Sequence, residues 1–435
     1  MVLIPTDIIL HIVELVPKGD VGTLKSLSLT SPLLRDICQK RLFKSISLEN
    51  SVMVKYDSRI PPPFLVNFHK IVTQSPRIAS YIQRLKIAQH SISPSGGMRY
   101  RRPGMSMVWM IDHSELISEA FDAWKSPRIH TLNFYSRRII SWTELDERFR
   151  NSLFRILQNP AFNTIITEGL RLPGHFFAGF PSLRSVALYH PYFSPGAPGM
   201  SSSTRKHQIS HLTFHVHYDA NFQSLNTGPS PVDCVGPAIG LDLRSLRTLD
   251  LEMNFSLTPQ LQHLFQLPKL WRLRVSTSPF EKDSVDIDPG IPPPTINLSR
   301  LSNLTGLTLR NLDFGITSAS FSWVVNALES LTTSQIGRLE RFTLSLATTS
   351  DIMKNIQSHL DVIMQQLGQY LSSFHRRAEQ LRSIRVDMKV AWGENDQVLQ
   401  INEWLLSQLS WSGCEGILDV RVEQDEAFVY RNRGW

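Results

Sequence analysis

Three histidines lie close together in the segment HLTFHVHY, residues 211–218. In an extended strand, side chains two residues apart point to the same face, so His211, His215 and His217 would share one face. Histidines at i and i+2 could bind zinc, but zinc sites usually need three or four convergent ligands. The only carboxylate close in sequence is Asp219. We therefore expect a solvent-facing polar row here rather than a metal site.

Catalytic sequence motifs are absent from the chain. It contains no G-x-S-x-G nucleophile motif, no G-x-x-x-x-G-K-[ST] phosphate loop and no H-E-x-x-H zinc motif. The segment SPSGG, residues 93–97, lacks the flanking strand and helix that a phosphate-binding loop needs. We therefore expect a protein that is not an enzyme and that uses no cofactor and no metal.

The composition is that of an ordinary globular chain. It has 435 residues, a formal net charge of +7 and 42% hydrophobic residues, which suits two or three domains or one long repeat array. The basic excess is spread along the chain, and its densest cluster is RYRR, residues 99–102. Because no basic stripe with interleaved aromatic residues appears, we do not expect nucleic-acid binding.

Cysteine usage and hydropathy indicate a cellular compartment. Cys38, Cys234 and Cys414 are far apart and form no C-x-x-C pair, which fits a reducing compartment better than a disulfide framework. The apolar N-terminal run lacks the basic start of a signal peptide, and no apolar run approaches the roughly 18 to 20 residues that span a bilayer. We expect a soluble protein of the cytoplasm or nucleus without membrane contact.

One sequence phrase recurs along the chain. It has three apolar residues, with any two residues between the first and second and any one residue between the second and third. Its last two positions alternate as in a strand with one buried face. The copies recur on average about every 34 residues, at irregular intervals. The twelve copies are Phe43-Ile46-Leu48, Ile82-Leu85-Ile87, Ile129-Leu132-Phe134, Phe162-Ile165-Thr167, Leu183-Val186-Leu188, Ile209-Leu212-Phe214, Leu246-Leu249-Leu251, Leu270-Leu273-Val275, Leu304-Leu307-Leu309, Leu339-Phe342-Leu344, Leu381-Ile384-Val386 and Ile417-Val420-Val422.

This phrase is the L-x-x-L-x-L signature of leucine-rich repeats, and the chain resembles that family. The resemblance implies an α/β fold, namely an irregular leucine-rich-repeat solenoid with a curved parallel sheet and outer helices. The spacing exceeds the roughly 20 to 29 residues of typical repeats, so we expect long insertions. The candidates, rich in Pro, Gly and Ser, are residues 88–113, 189–208, 219–243 and 276–298.

Most segments between the copies are amphipathic and predict helices. A strand followed by a helix in each repeat is the pattern of an α/β array. The predicted helices cover residues 64–75, 114–125, 143–159, 258–267, 320–331, 351–381 and 396–409.

Three short helices precede the array. The first, residues 6–16 with Thr6 as the expected N-cap, is apolar over most of its circumference. The second covers about 21–30, and the third starts with Ser31 as N-cap and Pro32 at the first helical position. So small a unit cannot bury all of this apolar surface internally, so the excess should meet another surface.

Residues 3–48 resemble an F-box, whose pattern begins Leu-Pro-x-Glu followed by apolar residues. Here the segments IPTDIIL, TLKSLSLTS and LLRDI follow one another in the same order, with an aromatic residue near the end. The match covers about a tenth of the chain. It departs from the pattern at Ile4 for Leu, Asp7 for Glu and Phe43 where Trp is common. The whole chain thus resembles fungal F-box proteins with irregular leucine-rich repeats.

The resemblance implies a substrate-recognition subunit of a ubiquitin ligase, with an F-box domain at residues 1–48 and a repeat domain at 49–435. The F-box would dock on a Skp-type adaptor, and through it on a cullin, while the repeats bind a protein substrate that the sequence does not name. Two alternatives stay open: the helices could be an internal cap of the array, or the chain could be a scaffold without a ligase role. The adaptor contacts that the resemblance implies are Pro5, Ile8, Ile9, Ile12, Leu15, Leu24, Leu34 and Ile37.

Arginine is frequent at the strand positions that point away from the predicted core. Because a guanidinium binds carboxylate or phosphate in a bidentate manner, these residues favour a substrate with an acidic or phosphorylated segment. A solvated sheet face, with its charge partly cancelled by Asp387, Asp419 and Glu423, is an equally good interpretation. The candidate substrate contacts are Arg272, Arg274, Arg310, Arg341 and Arg385.

Overall fold

The chain forms two compact units, one from residues 1–187 and 191–207 and the other from 188–190 and 208–435. The domain boundary predicted at residue 48 lies inside the first unit. The predicted insertions fall mostly outside the described residues. The computed structural model describes residues 5–17, 19–49, 60–89, 109–125, 127–173, 176–189, 191–194, 207–215, 241–253, 262–277, 296–311, 318–391, 395–409 and 416–424.

The first unit begins with three short helices: α1 (Thr6–Leu15), α2 (Val21–Thr30) and α3 (Pro32–Leu42). The predicted cap of α3 is confirmed, because the Ser31 hydroxyl accepts a hydrogen bond from the backbone N–H of Leu34 at 3.1 Å. The predicted cap of α1 is wrong. Its N-cap is Pro5, which has no side-chain acceptor, so the helix begins at Thr6 without a side-chain cap.

The three helices share a small core of Val13, Leu24 and Cys38. The Arg41 guanidinium on α3 donates hydrogen bonds to the backbone carbonyls of Val13 and Val16 at the end of α1. These two bonds satisfy carbonyl groups that a helix C-terminus leaves without partners. They hold α1 against α3 although the apolar contact between them is small.

A polar cluster joins α3 to the segment before the second strand. The carboxylate of Asp36 accepts hydrogen bonds from Arg77 and from the Tyr81 hydroxyl, and Lys40 lies 2.8 Å from its other oxygen. Hydrogen bonds from Lys40, Tyr81 and Arg77 hold the pKa of Asp36 well below its ordinary value. The α1–α3 helices are therefore tied to the first repeat by a charged group that stays ionised.

The sheet of the first unit is built from parallel strands in chain order, β1 next to β2, then β3, then β4, with the short β6 also parallel to β4. Helices and 3₁₀ turns at 142–144 and 176–179 connect the strands. The strands are β1 (Ser45–Glu49), β2 (Arg84–Gln89), β3 (Thr131–Ser141), β4 (Thr164–Pro173), β5 (Ser185–Tyr189, at the division between the units) and β6 (Tyr192–Ser194). The helices are α4 (Pro63–Gln74), α5 (Pro76–Ala79), α6 (Trp109–Asp112), α7 (Ser114–Ala123) and α8 (Glu147–Leu157).

The second unit repeats this arrangement with seven parallel strands in the order β8, β10, β11, β12, β13, β14 and β15. Its strands are β8 (His211–His215), β10 (Thr248–Met253), β11 (Arg272–Thr277), β12 (Gly306–Asn311), β13 (Arg341–Thr349), β14 (Ser383–Ala391) and β15 (Leu418–Gln424), and the two-residue strands are β7 (His207–Gln208) and β9 (Leu241–Asp242). The helices are α9 (Ser318–Glu329), α10 (Thr333–Ile336), α11 (Ser350–Arg377) and α12 (Asn395–Leu409), with 3₁₀ turns at Leu243–Ser245 and Gln262–Gln266. Within the described residues, no helix combines the length and apolar character that crossing a membrane requires.

A described strand contains the last two positions of each copy of the sequence phrase. In β1–β4 and in β8 and β10–β14 these positions pair as the repeat predicts. In the second unit Leu249 lies opposite Leu212 on one side and Leu273 on the other. In the first unit Leu132 lies between Leu85 and Ile165. All six side chains are buried. The predicted α/β class and the parallel sheet are thereby confirmed.

One backbone contact recurs where the strands begin. The carbonyl of Lys44 accepts the N–H groups of both Gln83 and Arg84, at 2.9 and 3.0 Å. Each such carbonyl fixes the start of the next strand, so the register does not depend on the length of the intervening segment. The same doubled bond is made by the carbonyls of Gln83, His130, Asn163, Ser210, Arg247, Trp271 and Thr305.

Two predicted helices are wrong in their extent. Residues 143–159 form a 3₁₀ turn, Trp142–Glu144, and then α8 from Glu147, because Asp146 accepts a hydrogen bond from the N–H of Phe149 and starts a new helix. The described part of 258–267 is only the 3₁₀ turn Gln262–Gln266. This turn buries two adjacent residues, Leu264 and Phe265.

The last copy of the phrase is displaced by two residues. Val420, its predicted central residue, lies opposite Val386, and Leu418 lies opposite Ile384. Leu418, Val420 and Val422 alternate along the strand, so either alignment puts apolar residues on the core face.

Candidate functional site

The α1 helix is apolar on two adjacent faces, and only one of them is packed. Val13 is 1% exposed, whereas Ile8, Ile12 and Leu15 are 51%, 47% and 69% exposed. At 3.6 residues per turn, positions 8, 12 and 15 fall on one side of the helix. Together they form a contiguous apolar surface, which we call the α1 face.

The other predicted adaptor contacts divide between surface and interior. Pro5 is exposed and Ile9 is half-buried. Leu34 and Ile37 are half-buried and pack against the helical core. Leu24 is only 2% exposed and belongs to that core, so it has no surface to offer a partner and leaves the contact set.

Three exposed apolar residues of α2 and α3 were not among the predicted contacts. Leu29 is 79% exposed, and Val21 and Leu33 are also exposed. The sequence spacing indicates that Leu29 is exposed, because it is five residues beyond the buried Leu24 and therefore falls on another side of α2. These residues extend the apolar surface of the helical segment.

The second unit presents a polar face formed by the side chains that alternate with the buried ones on its parallel strands. Its first row contains His211, Thr248, Arg272, Gly306, Arg341 and Ser383, which pair in this order across neighbouring strands. The second row contains Thr213, Asp250, Arg274, Thr308, Thr343, Arg385 and Asp419.

Two of the predicted arginines are already paired with carboxylates. Arg274 lies 3.1 Å from Asp250 on the neighbouring strand, and Arg385 lies 2.6 Å from Asp387 on its own strand. Exposed ion pairs of this kind contribute little to stability, but they cancel charge locally. A negatively charged substrate would have to compete with these carboxylates.

The remaining predicted arginines differ from one another. Arg272 and Arg341 are exposed and form no ion pair with any residue that the structure describes. The Arg272 guanidinium lies 5.3 Å from the ring centre of Trp271, which is 42% exposed. Arg310 is half-buried and lies opposite Ser345 in a third row of the polar face. This row contains His215, Glu252, Ser276, Arg310, Ser345, Asp387 and Arg421.

His211 and His215 lie on the same polar face. His211 Nδ1 and the Thr248 hydroxyl are hydrogen-bonded. Burial, together with the positive charges of Arg247 and Arg272, lowers the pKa of His211. At neutral pH this histidine therefore adds no charge to the first row.

His215 meets two carboxylates that no local motif indicates. Its Nδ1 lies 3.2 Å from Glu252 Oε2, and its Nε2 lies 3.6 Å from Asp250 Oδ1. The Tyr189 ring packs edge-on against it, with ring centres 4.7 Å apart. His217 lies outside the described residues. Among the described side chains, no group of three or more His, Cys, Asp or Glu is placed to hold a metal ion.

An open cleft in the first unit is lined by charged and polar side chains, among them Asp122. Asp122 accepts a hydrogen bond from the Ser152 hydroxyl at 2.6 Å and pairs with Arg148 at 3.1 Å. The Ser152 bond, with smaller contributions from Arg148 and Arg155, lowers the pKa of Asp122. Asp122 thus serves as a structural anion between α7 and α8.

No protein-family model matches the chain, and no curated protein matches it. Two surfaces of the protein therefore indicate its function: the α1 face and the polar face of the second unit.

Proposed function

We propose that this protein is the substrate-recognition subunit of a Skp–cullin–F-box type ubiquitin ligase, in which α1–α3 dock on a Skp-type adaptor and the repeats bind a protein substrate. The observation that carries the proposal is the α1 face. Exposed apolar residues adjacent to one another mark a protein interaction site more often than isolated ones do. The F-box resemblance of residues 3–48 supplies the kind of partner.

The energetics of the helical segment support a partner on the α1 face. Its core has three fully buried side chains, which is little for an independent unit. Burying a Leu or Ile side chain completely contributes roughly 1.5 to 3 kcal/mol. Covering Ile8, Ile12 and Leu15 would therefore supply a substantial part of the free energy of a stable complex.

The contacts of α3 support a firm attachment of the F-box-like helices to the first repeat. Asp36 bonds to Arg77 and Tyr81, and β1 begins at Ser45, three residues after α3 ends. A ligase receptor benefits from a stiff connection, because holding two reacting partners in place reduces the orientational entropy lost in the transfer step. The proposed role requires binding alone, without catalytic groups, and places the protein in the cytoplasm or nucleus.

A second candidate function is a leucine-rich-repeat scaffold without a ligase role. It is favoured by the two bonds from Arg41 to the end of α1, since a helix held in this way could simply cap the array. A capping role explains why Val13 is buried but not why Leu15 is exposed. The ligase proposal therefore accounts for more of the structure.

Reconstitution separates the two candidates. The full chain is mixed with a purified Skp-type adaptor and cullin, and the mixture is resolved by size-exclusion chromatography. Co-elution of all three proteins supports the receptor proposal. Separate elution at micromolar concentration, with the full chain folded by circular dichroism, would favour the scaffold.

A further inference from the structure

Gly306 occupies a strand position where nothing in the structure demands glycine. It lies at the start of β12, in the first row of the polar face. Its backbone is not in the left-handed region. A Cβ atom added there would lie 3.7 Å from Cγ of Arg272, an ordinary contact, and among the described residues only the Nε of that same side chain is also within 4 Å. Because glycine weakens a strand and often marks the close approach of a ligand, the missing side chain requires another explanation.

The neighbours of Gly306 are the two unpaired arginines. Arg272 lies directly opposite it on β11, and Arg341 lies directly opposite on β13. Strands two apart in a sheet are separated by about 9.5 Å, so the guanidinium groups of both arginines can reach a ligand placed over Gly306. We call the gap above Gly306, between Arg272 and Arg341, the notch. The Arg272 side chain lies along one side of it.

The charge of the notch contrasts with the rest of the polar face. Arg274, Arg385 and Arg421 each pair with a carboxylate, at 3.1, 2.6 and 2.9 Å. Arg272 and Arg341 pair with none within the described part of the chain, and Arg247 adds a third exposed cation one residue before β10. Positive charge is thus concentrated around the only residue of that row without a side chain.

We propose that Arg272, Gly306 and Arg341 form a binding subsite for a phosphorylated side chain of a protein ligand. Two guanidinium forks match the oxygens of a phosphoryl group, which carries nearly two negative charges at neutral pH. The exposed ring of Trp271, beside Arg272, offers an apolar contact for the adjoining residues of the ligand. That the ligand is a ligase substrate rests on the proposed function, whereas the subsite itself does not.

The surrounding carboxylates favour a phosphorylated protein over a nucleic acid. Asp250 in the second row and Glu252 and Asp387 in the third lie on the same polar face. A nucleic acid binds through many phosphate contacts along a basic groove. Because Asp250 and Asp387 cancel the charge of Arg274 and Arg385, the described part of this face offers no such continuous groove. A single phosphoryl group needs only the notch.

The test uses the full-length chain, without adaptor, and a peptide library with a central phosphoserine and mixed flanking residues. Matched libraries carry serine or glutamate at the centre. We expect the wild-type chain to retain the phosphoserine library, and the double variant Arg272→Gln/Arg341→Gln to bind it at least about tenfold more weakly. The control Arg274→Gln/Arg385→Gln removes the same charge from paired arginines and should change binding by less than about threefold.

A third variant tests whether the free space over Gly306 contributes to binding in addition to the charge of the arginines. Gly306→Val keeps every arginine and adds a residue that favours strands, so its melting temperature should equal or exceed that of the wild type. Its preference for phosphoserine should nevertheless be lost, because the valine side chain fills the notch.

Three results would overturn the subsite: undiminished phosphoserine binding by the Arg272→Gln/Arg341→Gln variant, equal retention of the glutamate library, or full displacement of the peptides by single-stranded nucleic acid. Adaptor binding is measured separately on the same variants. A wild-type chain that binds the adaptor but shows no preference for phosphoserine would refute the subsite alone. A wild-type chain that prefers phosphoserine but binds no adaptor would refute the ligase proposal alone.

Discussion

The carboxylate of Asp36 on α3 accepts a hydrogen bond from the hydroxyl of Tyr81, 45 residues further along the chain and three residues before β2 begins. Arg77 and Lys40 bind the same carboxylate. This cluster connects the helical segment to the segment before β2. Its removal should loosen that connection without disturbing the sheet.

We expect the double variant Asp36→Asn/Tyr81→Phe to increase amide hydrogen exchange in α3, because the variant loses the charge-assisted hydrogen bonds that hold the helix. Exchange in β3 should not change. The control is Asp7→Asn, which alters an exposed carboxylate of α1. Unchanged exchange in α3 would show that other contacts make the connection.

The depressed pKa of Asp36 predicts a pH dependence of stability. Because its pKa in the folded protein lies below the ordinary value of 3.8, ionised Asp36 stabilises the fold above about pH 4, and this contribution is lost as the pH falls further. The difference in unfolding free energy between wild type and Asp36→Asn should be constant from pH 5 to 7 and shrink below pH 4. Urea unfolding at each pH measures it. A difference that persists unchanged at pH 3 would contradict the assignment.

An aromatic cluster in the first unit predicts a steric effect at Gly179. A Cβ atom there would lie 2.9 Å from the Phe154 ring, which is stacked against Phe180 with ring centres 5.1 Å apart and cannot move freely. We expect Gly179→Ala to lower the unfolding free energy by about 1 to 3 kcal/mol. The control Gly337→Ala meets its nearest atom at 3.5 Å and should be close to neutral. Equal stability of both variants would mean that the cluster adjusts easily.

The sequence contains most of the information on the strands, because alternation of apolar residues is a local property. The phrase that contains Leu249 and Leu251 predicts that both are buried, and the structure confirms their burial and their parallel pairing. The last copy was misplaced by two residues because a strictly alternating strand such as Leu418–Gln424 fits the core in either alignment.

The site was less predictable because it depends on neighbours in space. Asp250 and Arg274 occupy the same position of consecutive copies, so their ion pair could have been derived once the strand order was assumed. The same holds for His215 and Glu252. The exposure of Leu15 and the burial of Leu24, in contrast, depend on how three short helices pack, which apolar composition alone does not decide.

The most direct measurement is the affinity of the full chain for a purified Skp-type adaptor, by calorimetry, in wild type and in two variants of the α1 face. Ile12→Asp and Leu15→Asp place a charge on side chains that are 47% and 69% exposed, so they should fold normally. Each should weaken adaptor binding by more than about tenfold, because burying an unpaired charge in an apolar interface is unfavourable. The control Leu399→Asp, at a side chain that is 62% exposed on α12, should bind like the wild type. Binding by folded Ile12→Asp and Leu15→Asp proteins with wild-type affinity, or no binding by the wild type, would contradict the proposed F-box function.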